Sequence, residues 1–230
     1  MATEPMAADA AAAPARHGLS RDAGFWLVGS VLVLMLFSSS VPSPMYVIYQ
    51  QRWQMSATML TVVFAIYAIG ILASLLIFGS LSDQIGRRPV LLASLLLVIA
   101  SMVIFAGAQG VSWLLIARAV QGLGVGLATG AMSAALVELA PPSAPGRGTL
   151  VNGVGPTLGM ALGAVIAGLL VEYAPAPTVL SYLLLAAAFA LTAVGVQLMP
   201  ETARHTGALR IRPRRISVPA AGRSRCCPSA

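Results

Sequence analysis

Two long apolar runs, Ala57 to Phe78 and Val90 to Ala108, flank one short polar stretch, Gly79-Ser-Leu-Ser-Asp83-Gln-Ile-Gly86-Arg87-Arg88-Pro89. Each run is long enough to cross a bilayer as a helix, since about 20 apolar residues rising 1.5 Å each span the hydrocarbon core. This pairing constrains the chain more than any other feature. Inside hydrocarbon the backbone must satisfy its own hydrogen bonds, and a helix does so within one segment. The stretch between the runs is therefore read as a tight loop joining two membrane helices. Gly79 and Gly86 allow close approach and left-handed backbone angles, and Pro89 suits the first turn of a new helix. Asp83 and the Arg87-Arg88 pair put both signs of charge at the membrane surface.

The same reading extends along the chain. Hydrophobic residues make up 58% of it and charged residues 9%, with a mean hydropathy of +0.86. A soluble domain carries about 25% charge, so a polytopic membrane protein is expected. Six spans are predicted near 24–48, 57–80, 89–108, 112–138, 149–171 and 178–199. Residues 1–23 read as a disordered cytoplasmic arm, 24–202 as the membrane bundle and 203–230 as a basic, disordered cytoplasmic tail. A cleaved signal peptide is the alternative for the first apolar run. That run passes into Ser38-Ser-Ser-Val-Pro-Ser-Pro-Met-Tyr46 rather than a cleavage site, so a retained helix is expected.

Charge sets the orientation. With the N-terminus inside, Arg16, Arg21, Arg87, Arg88, Arg147 and the seven tail arginines all lie in cytoplasmic segments. The outer loops hold Arg52 alone, and Arg118 falls within a span. The positive-inside rule then places both termini in the cytoplasm. Because the arginines follow the loops and tails, the net charge of +7 reflects membrane orientation and not a nucleic-acid partner. Cys226 and Cys227, adjacent near the end, cannot form a disulfide framework or a four-ligand metal site. Both histidines, His17 and His205, lie in the predicted tails. No Asp, Glu or His sits deep within a span, so the chain offers no enzyme site, no metal or cofactor site and no obvious intramembrane proton carrier.

The spans differ in kind. The third and sixth are nearly uniform Leu, Ala, Val, Ile and Phe, as lipid-facing helices should be. The fourth carries Gly122, Gly126 and Gly130, and the fifth Gly155, Gly159 and Gly163. Both are small-residue rows at four-residue spacing, which allow another backbone to approach. The first and fourth spans hold most of the polar groups. Ser38, Pro42 and Tyr46 share one face, Arg118 and Gln121 share another, and the two faces are expected to look at one polar cleft. Polar, intermediate, lipid-facing, then the same again: transporter folds built from inverted three-helix repeats show this order. Arg118 has two readings, a functional cation inside the bundle or a side chain snorkelling to the outer headgroups.

Several motifs carry a family resemblance. Gly79-x-Leu-x-Asp83-x-x-Gly86-Arg87-Arg88 resembles the signature loop between the second and third helices of major facilitator superfamily transporters. Arg118-Ala-Val-Gln121-Gly122-Leu-Gly124 is similar to that superfamily's fourth-helix motif. There the resemblance implies an arginine facing the central cavity and engaged in proton or substrate coupling. Asn152-Gly-Val-Gly155-Pro156-Thr-Leu-Gly159 resembles the fifth-helix motif of the drug/proton antiporter branch, with Met160 where that motif's second consecutive glycine would stand. Glu138, Pro141-Pro142 and Arg147-Gly148 resemble the loop after the fourth helix, and imply a cytoplasmic charge cluster of Glu138 and Arg147 beside Asp83, Arg87 and Arg88.

The expectation is thus an all-α, six-span protein of the bacterial inner membrane. It resembles the N-terminal half of a major facilitator transporter of the drug or small-molecule efflux type. Its partners are then the lipid bilayer and a small-molecule substrate, with protons as a candidate coupling ion. Members normally have twelve helices, so the chain reads as one half, pairing with itself or lacking a second half. A transport-inactive half and a membrane interaction subunit are the alternatives. The row Gly155, Gly159, Gly163 is expected to be free for a two-fold contact between copies.

Overall fold

The computed structural model describes residues 20–79 and 81–199. They form α1 Arg21–Ser40, α2 Pro42–Trp53, α3 Ala57–Phe78, α4 Leu81–Ile85, α5 Arg87–Ala106, α6 Val111–Leu139, α7 Arg147–Tyr173 and α8 Pro177–Gln197, with no strand among the described residues. Taking α1 and α2 as one crossing, 6 helical segments are long and apolar enough to span a membrane. The arm expected over 1–23 and the tail expected over 203–230 lie largely or wholly outside the described residues.

Local chemistry sets the helix ends. The Ser20 hydroxyl accepts from the Ala23 amide at 3.2 Å and starts α1; Ser56 does the same for Met59 at the start of α3. Gln54 stops α2 by turning into the left-handed region at φ 50°. The break between α1 and α2 falls at Val41, just before Pro42, whose ring nitrogen has no proton to give the Ser38 carbonyl one turn back.

α6 sits at the centre, with α3, α5 and α1 packed around it, α7 against α1, and α8 against α5. Glycine lets two of these contacts close to backbone distance. At Gly122 a Cβ would collide with the Tyr67 carbonyl of α3. On α7, a Cβ at Gly159 would collide with the Val33 carbonyl and one at Gly163 with the Phe37 carbonyl, both on α1. This corrects the expected role of the fifth-span row. Gly155, Gly159 and Gly163 are buried inside the bundle against α1, so the face is not free for a second copy.

Three further corrections concern exposure and the loop. The third span, α5, is not chiefly lipid-facing. It buries Val90, Leu91, Leu95, Val98 and Met102, packed between α6 and α8, whereas α3 buries only Val63, Gly70 and Ser74. α8 is intermediate, burying Tyr182, Leu185 and Phe189. Hydrocarbon and a neighbouring helix are equally apolar, so composition cannot tell them apart. The loop between the second and third spans contains a helix of its own, α4. Gly86 takes the positive φ there, 117°, while Gly79 is ordinary helical backbone at φ −58°.

Candidate functional site

The deepest polar contact lies where α6 crosses the break between α1 and α2. Pro42 leaves the Ser38 carbonyl without its helical donor, and the Gln121 side-chain amide of α6 takes that place at 3.1 Å. One residue on, the Ser39 carbonyl accepts from Arg118 Nη1 at 3.2 Å. The same Nη1 donates to Gln121 Oε1 at 2.9 Å, and Nε donates to the Tyr46 hydroxyl at 2.6 Å. A proline break therefore exposes main-chain acceptors, and two side chains one turn apart on α6 cover them.

Aromatic rings close the site. The Arg118 guanidinium lies 5.1 Å from the Tyr67 ring centre, 5.5 Å from Tyr46, 5.6 Å from Phe64 and 5.7 Å from Phe105. At such distances the negative ring faces attract the cation. Tyr67 is held in turn by its hydroxyl, 2.7 Å from Ser39 Oγ. Arg118 is 1% exposed and Gln121 0%. Arg118 therefore does not snorkel, and the two faces expected to look at one polar cleft meet directly: Ser38, Pro42, Tyr46, Arg118 and Gln121 are brought together and buried. Gly122 follows Gln121 at the α3 contact.

The balance of charge is unusual. No carboxylate pairs with Arg118 among the described residues, and its Nη2 is buried without a hydrogen-bond partner. The buried Tyr49 and Tyr182 hydroxyls also lack one. A buried charge is costly unless paired or hydrogen-bonded. Here carbonyl, phenol and ring electrons do that work without a counter-ion.

The second polar site is at one end of the bundle. Arg87, 8% exposed, donates through Nη2 to Glu138 Oε1 at 2.8 Å and through Nη1 to Ser82 Oγ at 2.7 Å. Arg21 Nη2 donates to the Glu138 carbonyl at 2.6 Å. The starts of α1 and α5, the end of α6 and the short α4 are thereby tied together. Arg88 follows half-buried. Arg147 does not join the cluster. It is exposed at the start of α7, where Gly148 brings that helix against the Leu136 carbonyl, and Glu138 pairs with Arg87 instead. Asp83 falls in α4, and its side chain, expected beside the charge cluster, is outside what the structure describes. Gly155 and Gly159 face α1, and α7 runs on through Pro156 without interruption. Among the described residues no group of His, Cys, Asp or Glu could hold a metal.

The sequence reading missed Phe64, Tyr67 and Phe105 around Arg118. Only their aromatic type and the 64/67 helical spacing hinted at it, inside runs otherwise read as lipid-facing or packing surface.

Comparison with known proteins agrees with this architecture. Over 70 residues, 30% of the chain, it is 41% identical to the arabinose-proton symporter of Bacillus subtilis (strain 168), covering 15% of that protein. Over 71 residues, 31% of the chain, it is 39% identical to multidrug resistance protein MdtL of Shewanella oneidensis, covering 18%. The fold matches the human organic anion transporter MFSD10 (TETRAN) with a TM-score of 0.62 at 23% identity, over 81% of this chain and 49% of that one. The chain thus matches about half of that solved transporter and smaller shares of these curated relatives. A family model described as Major Facilitator Superfamily matches residues 28–223, most of the chain, and the chain belongs to that superfamily.

Proposed function

We propose that residues 24–202 form one six-helix bundle of a secondary transporter that exports small molecules across a bacterial inner membrane. Alternating access needs two bundles rocking about a site near the midplane, so the transporting unit contains a second bundle. The first three and last three spans form an inverted pair, with both termini cytoplasmic. The arginine distribution supports that orientation: Arg21 and Arg87 converge on Glu138 at one end, and Arg52 stands at the other.

One observation carries the reading: Arg118, about two turns into α6, fully buried and uncompensated by any carboxylate among the described residues. Its planar guanidinium can hold an anionic group of substrate or a carboxylate of the second bundle through paired N–H groups. A proton gradient is the proposed drive, with the proton carried by an acid of the second bundle. Arg87 and Glu138 act as an end latch that one conformation makes and the other breaks. The names of the relatives, two of them a proton symporter and a multidrug resistance protein, support this class of activity.

The test is accumulation of an anionic dye, fluorescein, in bacterial cells stripped of their own efflux pumps. Cells expressing the chain should accumulate less dye than empty cells, in a manner abolished by a protonophore, and Arg118→Gln should remove the difference. Equal accumulation in expressing and empty cells would overturn export by this chain on its own.

A further inference from the structure

α7 and α8 run antiparallel and are joined by only three residues, 174–176. They close together at that end and part at the other, and α1 floors the gap. The result is a wedge-shaped crevice. Its wide part has a volume of about 570 Å³, bounded by Trp26 and Val33 of α1, Leu150, Val154 and Leu158 of α7, and Thr192 of α8. A narrower part of about 210 Å³ continues toward the joined end and shares Leu34 and Phe37 with it. The two polar side chains in the wide part turn away from the space. Ser30 Oγ donates to the Trp26 carbonyl at 2.9 Å and Thr192 Oγ1 to the Phe189 carbonyl at 2.9 Å. The walls are open to the surroundings: Leu150 is 63% exposed, Val154 54% and Leu158 50%.

We infer that this crevice is a binding site for one phospholipid, with an acyl chain in the wedge and the phosphate on Arg147. The surroundings of a membrane-crossing bundle at this depth are hydrocarbon, and an elongated slot lined by apolar atoms suits a chain better than a compact solute. The headgroup end is marked by two independent features. Trp26, 62% exposed, stands at the wide mouth, where amphipathic rings favour the headgroup boundary. Arg147 lies one turn before Leu150 and Val151 on the same helix face, exposed and in no ion pair among the described residues. The inference rests on the crevice alone and stands or falls independently of any transport activity.

Native mass spectrometry of the chain purified in detergent tests it. The parent should retain one phospholipid. Val154→Trp, placed on an exposed wall of the crevice, should abolish retention, and Leu158→Trp, one turn along, gives the same reading if the first variant fails to insert. Arg147→Gln should lower the retained fraction about fivefold, the worth of one arginine beside a lipid phosphate. Leu72→Trp, equally exposed but on α3, should retain lipid like the parent. No phospholipid on the parent, equal loss in Leu72→Trp, retention in both crevice variants, or a lipid-free dimer of the parent would each overturn it.

Discussion

Arg118 and Arg87 are both buried arginines on neighbouring helices, yet their charges are met in different ways. Arg87, at the end of the bundle, has the Glu138 carboxylate at 2.8 Å, and that carboxylate is 36% exposed. Arg118, buried inside the bundle, has none; it is met by the Ser39 carbonyl, a phenol, an amide and four rings. A carboxylate near water costs little to keep ionised, whereas one buried beside Arg118 would add its own desolvation to that of the arginine. Neutral acceptors avoid that second cost. They also leave the net positive charge in place, which an ion pair would cancel.

The sharpest test of this contrast is Arg118→Met. Transport should fall at least about a hundredfold, or about 2.7 kcal/mol. The melting temperature should hold or rise, because an apolar side chain of similar length removes a buried charge. A clear fall in melting temperature would show that the cation holds the fold together and would make the two arginines alike. Glu138→Gln should do the reverse. It leaves Arg87 facing a neutral amide and should cost about 1–3 kcal/mol of stability, read by thermal unfolding in detergent. Part of the parent's advantage should vanish at high salt, since the pair reaches solvent and is screened. An effect independent of salt would place the pair deeper in character than its exposure indicates.

Two smaller substitutions probe the neutral acceptors. Tyr67→Phe keeps the ring over Arg118 and removes only the bond to Ser39 Oγ, so about 0.6 kcal/mol of stability should be lost, the usual scale for such bonds inside membrane bundles. A loss several times larger would mean that the hydroxyl, not the ring, positions the site. Pro42→Ala restores an amide proton for the Ser38 carbonyl and should make Gln121 redundant. Gln121→Leu should then cost measurably less in the Pro42→Ala background than in the parent. A double-mutant cycle with no coupling would separate the proline break from the arginine site.

Much of the architecture was legible in advance because membrane crossing is a local property. Length and hydropathy of a single segment decide whether a helix can span hydrocarbon, so six crossings follow from reading one run at a time. The break at Val41, inside a first span expected to be one helix over 24–48, was not foreseen, although the missing proton on the Pro42 ring nitrogen accounts for it. The facing of Ser38 and Tyr46 toward Arg118 and Gln121 also had a local sign, because polar groups at helical spacing inside an apolar run have few places to go. What no single run contains is its neighbour. Nothing in Gly155-x-x-x-Gly159-x-x-x-Gly163 says whether the backbone it admits belongs to α1 or to another copy; only the packing of α7 on α1 decided that. Nor does a Leu-rich helix state whether it meets lipid or protein, since dispersion contacts are similar in both. For that reason α3 and α5 exchanged their expected roles. The rings around Arg118 come from α2, α3 and α5, and the crevice needs three helices at once. The sequence by itself determined which segments enter the membrane and which side chains must be satisfied there. The tertiary structure decided who satisfies them, because partners come from distant segments and no local energy term specifies that meeting.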